Sequence, residues 1–207
     1  MLELKNIAQA YGSKSVIANL SHHFGKGVTV ITGPSGAGKT TLLRICSSVE
    51  KPKSGEVLWI GKQVQKNLRQ FRSTLGYAPQ RIDYPEDISA MDFLLHMGAL
   101  KNLRRADTKR QAASLLGRLG LGRDMDDLIA TYSGGMRRRL SVAQACLGAP
   151  MILIFDEPTA ELDSDTAGHI HKLIFELAET TAVLMTTHLT DGLKGRDISE
   201  LYISPIS

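Results

Sequence analysis

The run GVTVITGPSGAGKT, from Gly27 to Thr40, constrains this chain more than any other stretch. Its first half is short, rich in β-branched residues and stops at glycine, which predicts a buried strand. Its second half, GPSGAGKT, fits G-x-x-x-x-G-K-[ST] at every fixed position. The next segment, Lys39 to Ser48, has no breaker and reads as a helix. A glycine-rich loop between strand and helix lets successive backbone amides converge on an anion with no Cβ in the way. The helix offers its positive end to the same anion. Gly33, Pro34, Ser35, Gly36, Ala37, Gly38, Lys39, Thr40 and Thr41 are therefore candidate phosphate contacts. Lys39 can reach β- and γ-phosphates, and the Thr40 hydroxyl suits Mg²⁺.

The rest of the chain fits one globular domain around that loop. It has 207 residues, 43% hydrophobic and 22% charged. Aromatic residues make up only 5%, which disfavours stacking along a nucleic acid. A net charge of +4 permits an anionic ligand without demanding one. Cys46 and Cys146 share no metal-like spacing and are expected as core residues in a reducing compartment. The longest purely apolar run is MILIF, far below the roughly 20 residues that span a bilayer. The start MLELKNIAQ lacks the basic and apolar regions of a signal peptide.

Along the chain, Leu2, Leu4 and Ile7 predict an early strand, EVLWIGKQV a strand and turn, and TLGYAPQ a strand that ends before Pro79. The texture then changes. Ala112, Leu115, Leu116 and Leu119 recur on one helical face, and Ser89 is placed to cap the helix before that one. MILIFDE and TAVLMTTH return as β runs, with Ile170, Leu173, Ile174 and Leu177 marking a helix between them. Alternating strands and helices predict a mainly parallel sheet covered on both faces. The expected boundaries are a core over 1–84 and 148–207, with a helical insertion over about 85–147.

Two further stretches carry chemistry. ILIFDE predicts a buried strand whose end holds Asp156 near a metal, while Glu157 faces differently and can address a water. Adjacent carboxylates on an apolar strand end are costly unless a cation or proton uses them. In YSGGMRRRLS, Ser133 is a natural N-cap, and Gly134 and Gly135 expose backbone N–H groups at the start of a helix. That is a second anion site. Arg137, Arg138 and Arg139 lie on different helix faces, so at least one is expected to be a solvated surface charge.

With these motifs in this order, the chain resembles the nucleotide-binding domain of ATP-binding cassette (ABC) transporters over nearly its whole length. GPSGAGKT looks like Walker A, YAPQ like the Q-loop with Gln80, and YSGGM like the family signature. ILIFDEPT looks like Walker B with Glu157 as the catalytic glutamate, AELD like the D-loop with Asp163, and TTH like the switch histidine, His188. Tyr11, 28 residues before Lys39, matches the aromatic that stacks on adenine.

The resemblance implies an α/β fold. It has a P-loop NTPase core, an N-terminal antiparallel β portion and an inserted helical subdomain, all within one domain over 1–207. It implies ATP and Mg²⁺, with Thr40, Gln80 and Asp156 on the metal. It also implies ATP hydrolysis in a composite site, where Ser133, Gly134 and Gly135 of one subunit cap the γ-phosphate on Walker A of another. Homodimers or heterodimers of ATPase subunits would then form in the ATP state. A separate integral membrane permease would hold the subunit peripherally at the cytoplasmic face of the cell membrane. No nucleic acid is expected.

The chain departs from the family pattern at Tyr132 and Met136 in the signature and at Glu161 and Ser164 around the D-loop. With the last predicted strand close to Ser207, no C-terminal regulatory domain is expected. SGGMRRRLS and GYAPQ resemble the exporter-type branch. A soluble ABC-type ATPase acting on nucleic acid or ribosomes is the rival reading, and a P-loop kinase would have no use for YSGGM or His188. His22, His23, His96, His169 and His171 show no ligand constellation, and Trp59 is expected in packing.

Overall fold

The computed structural model describes residues 1–188, 193 and 195–206. The strand expected before the glycine-rich loop is β3 (Gly27–Thr32). It belongs to a five-stranded parallel sheet with β6 (Leu75–Ala78), β7 (Ile152–Asp156), β8 (Ala182–Thr186) and β9 (Ile198–Tyr202). The order is β6-β7-β8-β3-β9, so chain neighbours are not sheet neighbours. A second sheet is antiparallel: β2 (Lys14–Phe24), β1 (Leu2–Tyr11), β4 (Ser54–Trp59) and β5 (Lys62–Gln63), in that order. Among the described residues six α-helices complete the fold: α1 (Lys39–Cys46), α2 (Leu68–Ser73), α3 (Ala90–Leu100), α4 (Arg105–Arg118), α5 (Gly134–Cys146) and α6 (Ser164–Ala178). The expected α/β class, with its antiparallel portion and helical insertion, is what the chain adopts.

The central strands β7 and β8 are buried on both faces, which is why they read as unbroken apolar runs. Side chains alternate across a strand. Val28, Val30, Leu153, Phe155, Val183 and Met185 face α3–α6 in one core. Ile31, Ile152, Ile154, Ala182 and Leu184 face a second core with α1 and the antiparallel sheet. The expected helical faces are the buried ones: Ala112 and Leu116 on α4, Ile170, Leu173 and Ile174 on α6. Leu140, Val142, Ala143 and Ala145 of α5 share the first core with β7, so the helical segment has no apolar interior of its own there.

Local chemistry sets several element ends. Ser89 Oγ accepts the Asp92 N–H at 3.0 Å and starts α3. Cys46 and Cys146 are buried and unpaired, as expected of core residues. Burial pushes the Cys146 thiol up to about 12. Trp59 is buried edge-on against Phe71, with ring centroids 5.9 Å apart. β2 had no clear signal in sequence, because its apolar residues are few and its partner strand selects it.

α5 lies unusually close to β6. A methyl group at Gly76 would stand 1.9 Å from the Ala145 carbonyl oxygen, and backbone cannot yield cheaply. Gly76→Ala is therefore expected to cost about 1–3 kcal/mol or more. A urea midpoint that falls at constant slope checks this, and an unchanged midpoint contradicts it.

Candidate functional site

Parallel pairing brings four strand ends to one edge of the sheet. Ala78 lies opposite Phe155, and Asp156 opposite Thr186. Val30 lies opposite Met185, three residues before Gly33 opens the glycine-rich loop. The loops after β3, β6, β7 and β8 therefore open on a common cleft, the usual place for a ligand in such sheets.

That cleft has a volume of about 380 Å³. Its walls include Tyr11, Ser35, Gly36, Gly38, Lys39, Thr40, Thr41, Gln80, Asp156, Glu157 and His188, all expected at one site. Lys14 and Val16 of β2 also line it, and no sequence motif marked them. Gly33, Pro34 and Ala37 shape the loop from behind: Ala37 N–H donates to the Pro34 carbonyl at 3.2 Å. Lys39 Nζ donates to the carbonyls of Gly33 at 2.8 Å and Pro34 at 3.0 Å, which holds the ammonium across the loop. Gly38 caps α1 at φ 98°, and a methyl group there would stand 2.6 Å from Val16 Cγ1. Only glycine fits that conformation and that contact.

The carboxylates differ in environment. Asp156 is 1% exposed. Its Oδ1 accepts the Thr186 hydroxyl at 2.6 Å, and its Oδ2 is buried with no hydrogen-bond partner. An ionised oxygen in that position is costly unless a cation meets it. Among the described residues no group of three or more His, Cys, Asp or Glu surrounds it. The donor set is thus one carboxylate with nearby hydroxyl and amide oxygens, which fits Mg²⁺, a hard ion that takes few protein ligands. Glu157 follows at φ 57°, in the left-handed region that strains a non-glycine residue. Its N–H donates to Thr186 Oγ1 at 3.0 Å. Its side chain turns to the exposed His188, whose Nε2 lies 2.9 Å from Glu157 Oε1.

The second anion site lies apart. Ser133 Oγ accepts the Met136 N–H at 3.2 Å and caps α5, as expected. Gly134 borders a neighbouring cleft of about 340 Å³ with Gln80, Tyr84 and Glu161, and neither Ser133, Gly134 nor Gly135 lines the cleft at Lys39. Asp163 does not line it either. It caps α6, where the Thr166 N–H and hydroxyl, at 2.9 and 2.8 Å, hold its carboxyl below the usual range. Tyr132, in place of leucine, is buried and donates to the Asp124 carbonyl at 2.6 Å; desolvation pushes its phenol up to about 12. The expectation of a solvated arginine does not hold. Arg137, Arg138 and Arg139 are all half-buried, because loops wrap the polar face of α5. They donate to the carbonyls of Tyr132, Pro79 and Leu119 respectively, at 3.3, 3.4 and 3.0 Å.

A phosphate-type loop opening a helix, beside a buried carboxylate on the next strand but one, defines a P-loop α/β domain. The chain belongs to the ABC transporter family, whose model matches residues 17–160. It is similar to the linearmycin resistance ATP-binding protein LnrL of Bacillus subtilis, with 33% identity over 196 residues, 94% of this chain and 63% of that protein. The chain spans about 63% of the length of the first curated relatives it matches. It is similar in structure to a dimeric bacterial ABC transporter cassette, with a TM-score of 0.88 and 25% identity, covering 99% of this chain and 94% of that one. A dimeric post-hydrolysis state of an ATP-binding cassette bound to ADP and Pi superposes with a TM-score of 0.87 and 25% identity, covering 98% and 94%.

Sequence reasoning missed Thr186, which is legible only through the register that sets it opposite Asp156. Thr186→Val keeps the shape and leaves Asp156 Oδ1 without its donor. The expected cost is about 1–3 kcal/mol of folding stability at neutral pH, read by denaturant titration. Unchanged stability contradicts the buried bond.

Proposed function

We propose that this chain is the ATP-binding and hydrolysing part of an ABC transporter, acting as one domain over residues 1–207. The observation that carries the reading is the single cleft that gathers Lys39, Thr40, Gln80, Asp156, Glu157 and His188 from four loops. Lys39 and the loop amides bind the β- and γ-phosphates, with Ser35, Gly36, Gly38 and Thr41 around them, and Tyr11 stacks on the base. Thr40, Asp156 and Gln80 would hold Mg²⁺, which offsets phosphate charge. Glu157 orients the water that attacks the γ-phosphoryl group and takes its proton; the products are ADP and phosphate. His188, whose Nε2 lies 2.9 Å from Glu157 Oε1, carries the state of the γ-phosphate toward Asp163 of a facing subunit.

The signature turn acts in trans in this reading. Ser133, Gly134 and Gly135 sit outside the phosphate cleft of their own chain and meet a γ-phosphate only across a dimer. The similarity to dimeric cassettes supports this arrangement. No helix among the described residues is long and apolar enough to cross a membrane. The work is therefore assigned to an integral membrane permease, with this domain peripheral at its cytoplasmic face.

Glu157→Gln tests it. ATP binding should survive and turnover should drop by roughly 10²-fold or more, the scale of a lost general base. ATP-bound dimers should accumulate, which gel filtration with ATP reads directly. Near-normal turnover in the variant removes Glu157 from the chemistry.

A further inference from the structure

Tyr11 and the glycine-rich loop reach the cleft from different sheets, and one carboxylate ties them together. The Tyr11 hydroxyl donates to Glu50 Oε1 at 2.6 Å and lies 3.5 Å from Thr41 Oγ1. Glu50 follows the end of α1, and its N–H donates to the Arg44 carbonyl at 3.1 Å. Its side chain is only 15% exposed, and Oε2 lies 3.3 Å from Arg44 Nε. Gln9, two residues before Tyr11 on β1, donates its amide to the same Glu50 Oε1. The Gln9 amide oxygen in turn accepts the Lys53 N–H at 2.8 Å. The end of β1 is thereby fixed to the helix whose first turn carries Lys39, Thr40 and Thr41.

Tyr11 needs such an anchor. It stands at the last position of β1 and is 48% exposed, so neighbours alone do not settle its ring. An aromatic that must be ordered at the moment of binding costs affinity, and one already held does not. The carboxylate is a suitable anchor, since a hydrogen bond to a charged acceptor is stronger than one between neutral groups. The partial compensation by Arg44 keeps that charge tolerable in a mostly covered position.

We propose that Glu50 is a positioning residue for nucleotide binding, holding the Tyr11 ring at the spacing from the phosphate loop that a base and its triphosphate require. The inference rests on the reading of this cleft as an ATP site and of Tyr11 as its stacking aromatic. Glu50 itself touches the nucleotide through Tyr11 only.

The test is equilibrium binding of ATP and of inorganic tripolyphosphate, which lacks a base, to purified protein. Tyr11→Phe removes the donor and keeps the ring; Glu50→Ala removes the acceptor. Each should weaken ATP roughly three- to tenfold, the scale of one hydrogen bond, and leave tripolyphosphate affinity unchanged. The two together should cost less than the sum of the single losses, because the Tyr11–Glu50 bond is lost in both. A general loosening of the fold would instead weaken both ligands. Wild-type ATP affinity in Tyr11→Phe, or additive losses, overturns the role of Glu50 provided that Tyr11→Ala is weak. Wild-type ATP affinity in Tyr11→Ala overturns the stacking role beneath it. Should Glu50→Ala fail to fold, Tyr11→Phe decides alone.

Discussion

In-register parallel pairing of β7 with β8, and of β8 with β3, is what the rest of the molecule depends on. It sets Asp156 opposite Thr186 and leaves the glycine-rich loop to leave the sheet at the same edge. A shift by one residue would turn Asp156 into a core and Phe155 into the cleft, since faces alternate at every residue. The two cores forbid that shift. Ile152 and Ile154 fill one side, Leu153 and Phe155 the other, and neither set can trade places with a carboxylate. Site geometry and core packing are therefore the same constraint seen from two ends of the strands.

Electrostatics then divides the work between neighbouring groups. Asp156 is buried, accepts one hydroxyl and keeps one oxygen unpartnered. Glu157 sits one residue on, in a strained left-handed turn that points its carboxylate to the exposed His188. Two carboxylates adjacent in sequence thus sit in different environments, which suits the proposed division between a cation and a water. The helix starts are divided similarly. α1 aims its first turn into the cleft through Gly38, and α5 aims its own away from it through Ser133.

Much of this was legible in the sequence, and the reason is locality. The loop of Gly33 to Thr40, the cap at Ser133 and the carboxylate at the end of ILIFD are each written in fewer than a dozen consecutive residues. So were the helical faces of α4 and α6, because a 3.6-residue period is a local signal. What escaped is non-local. The Thr186 bond to Asp156 exists only through strand register. The strand β2 is chosen by β1, and Glu50 meets Tyr11 across 39 residues of chain. The arginines of α5 misled for the same reason. A run of charges reads as a solvated face until the loops at Pro79 and Leu119 are seen to cover it.

The central claim is that the two anion-directed helix starts of one chain serve a single ATP site shared between two chains. The most direct test mixes two variants that are each inactive, Lys39→Ala and Ser133→Arg. A mixed dimer regains one intact site, with the phosphate loop from the second variant and the signature turn from the first. ATP hydrolysis should be near background for each variant alone and should rise clearly on mixing. Hydrolysis by Ser133→Arg alone at the wild-type rate, with no gain on mixing, would contradict the shared site.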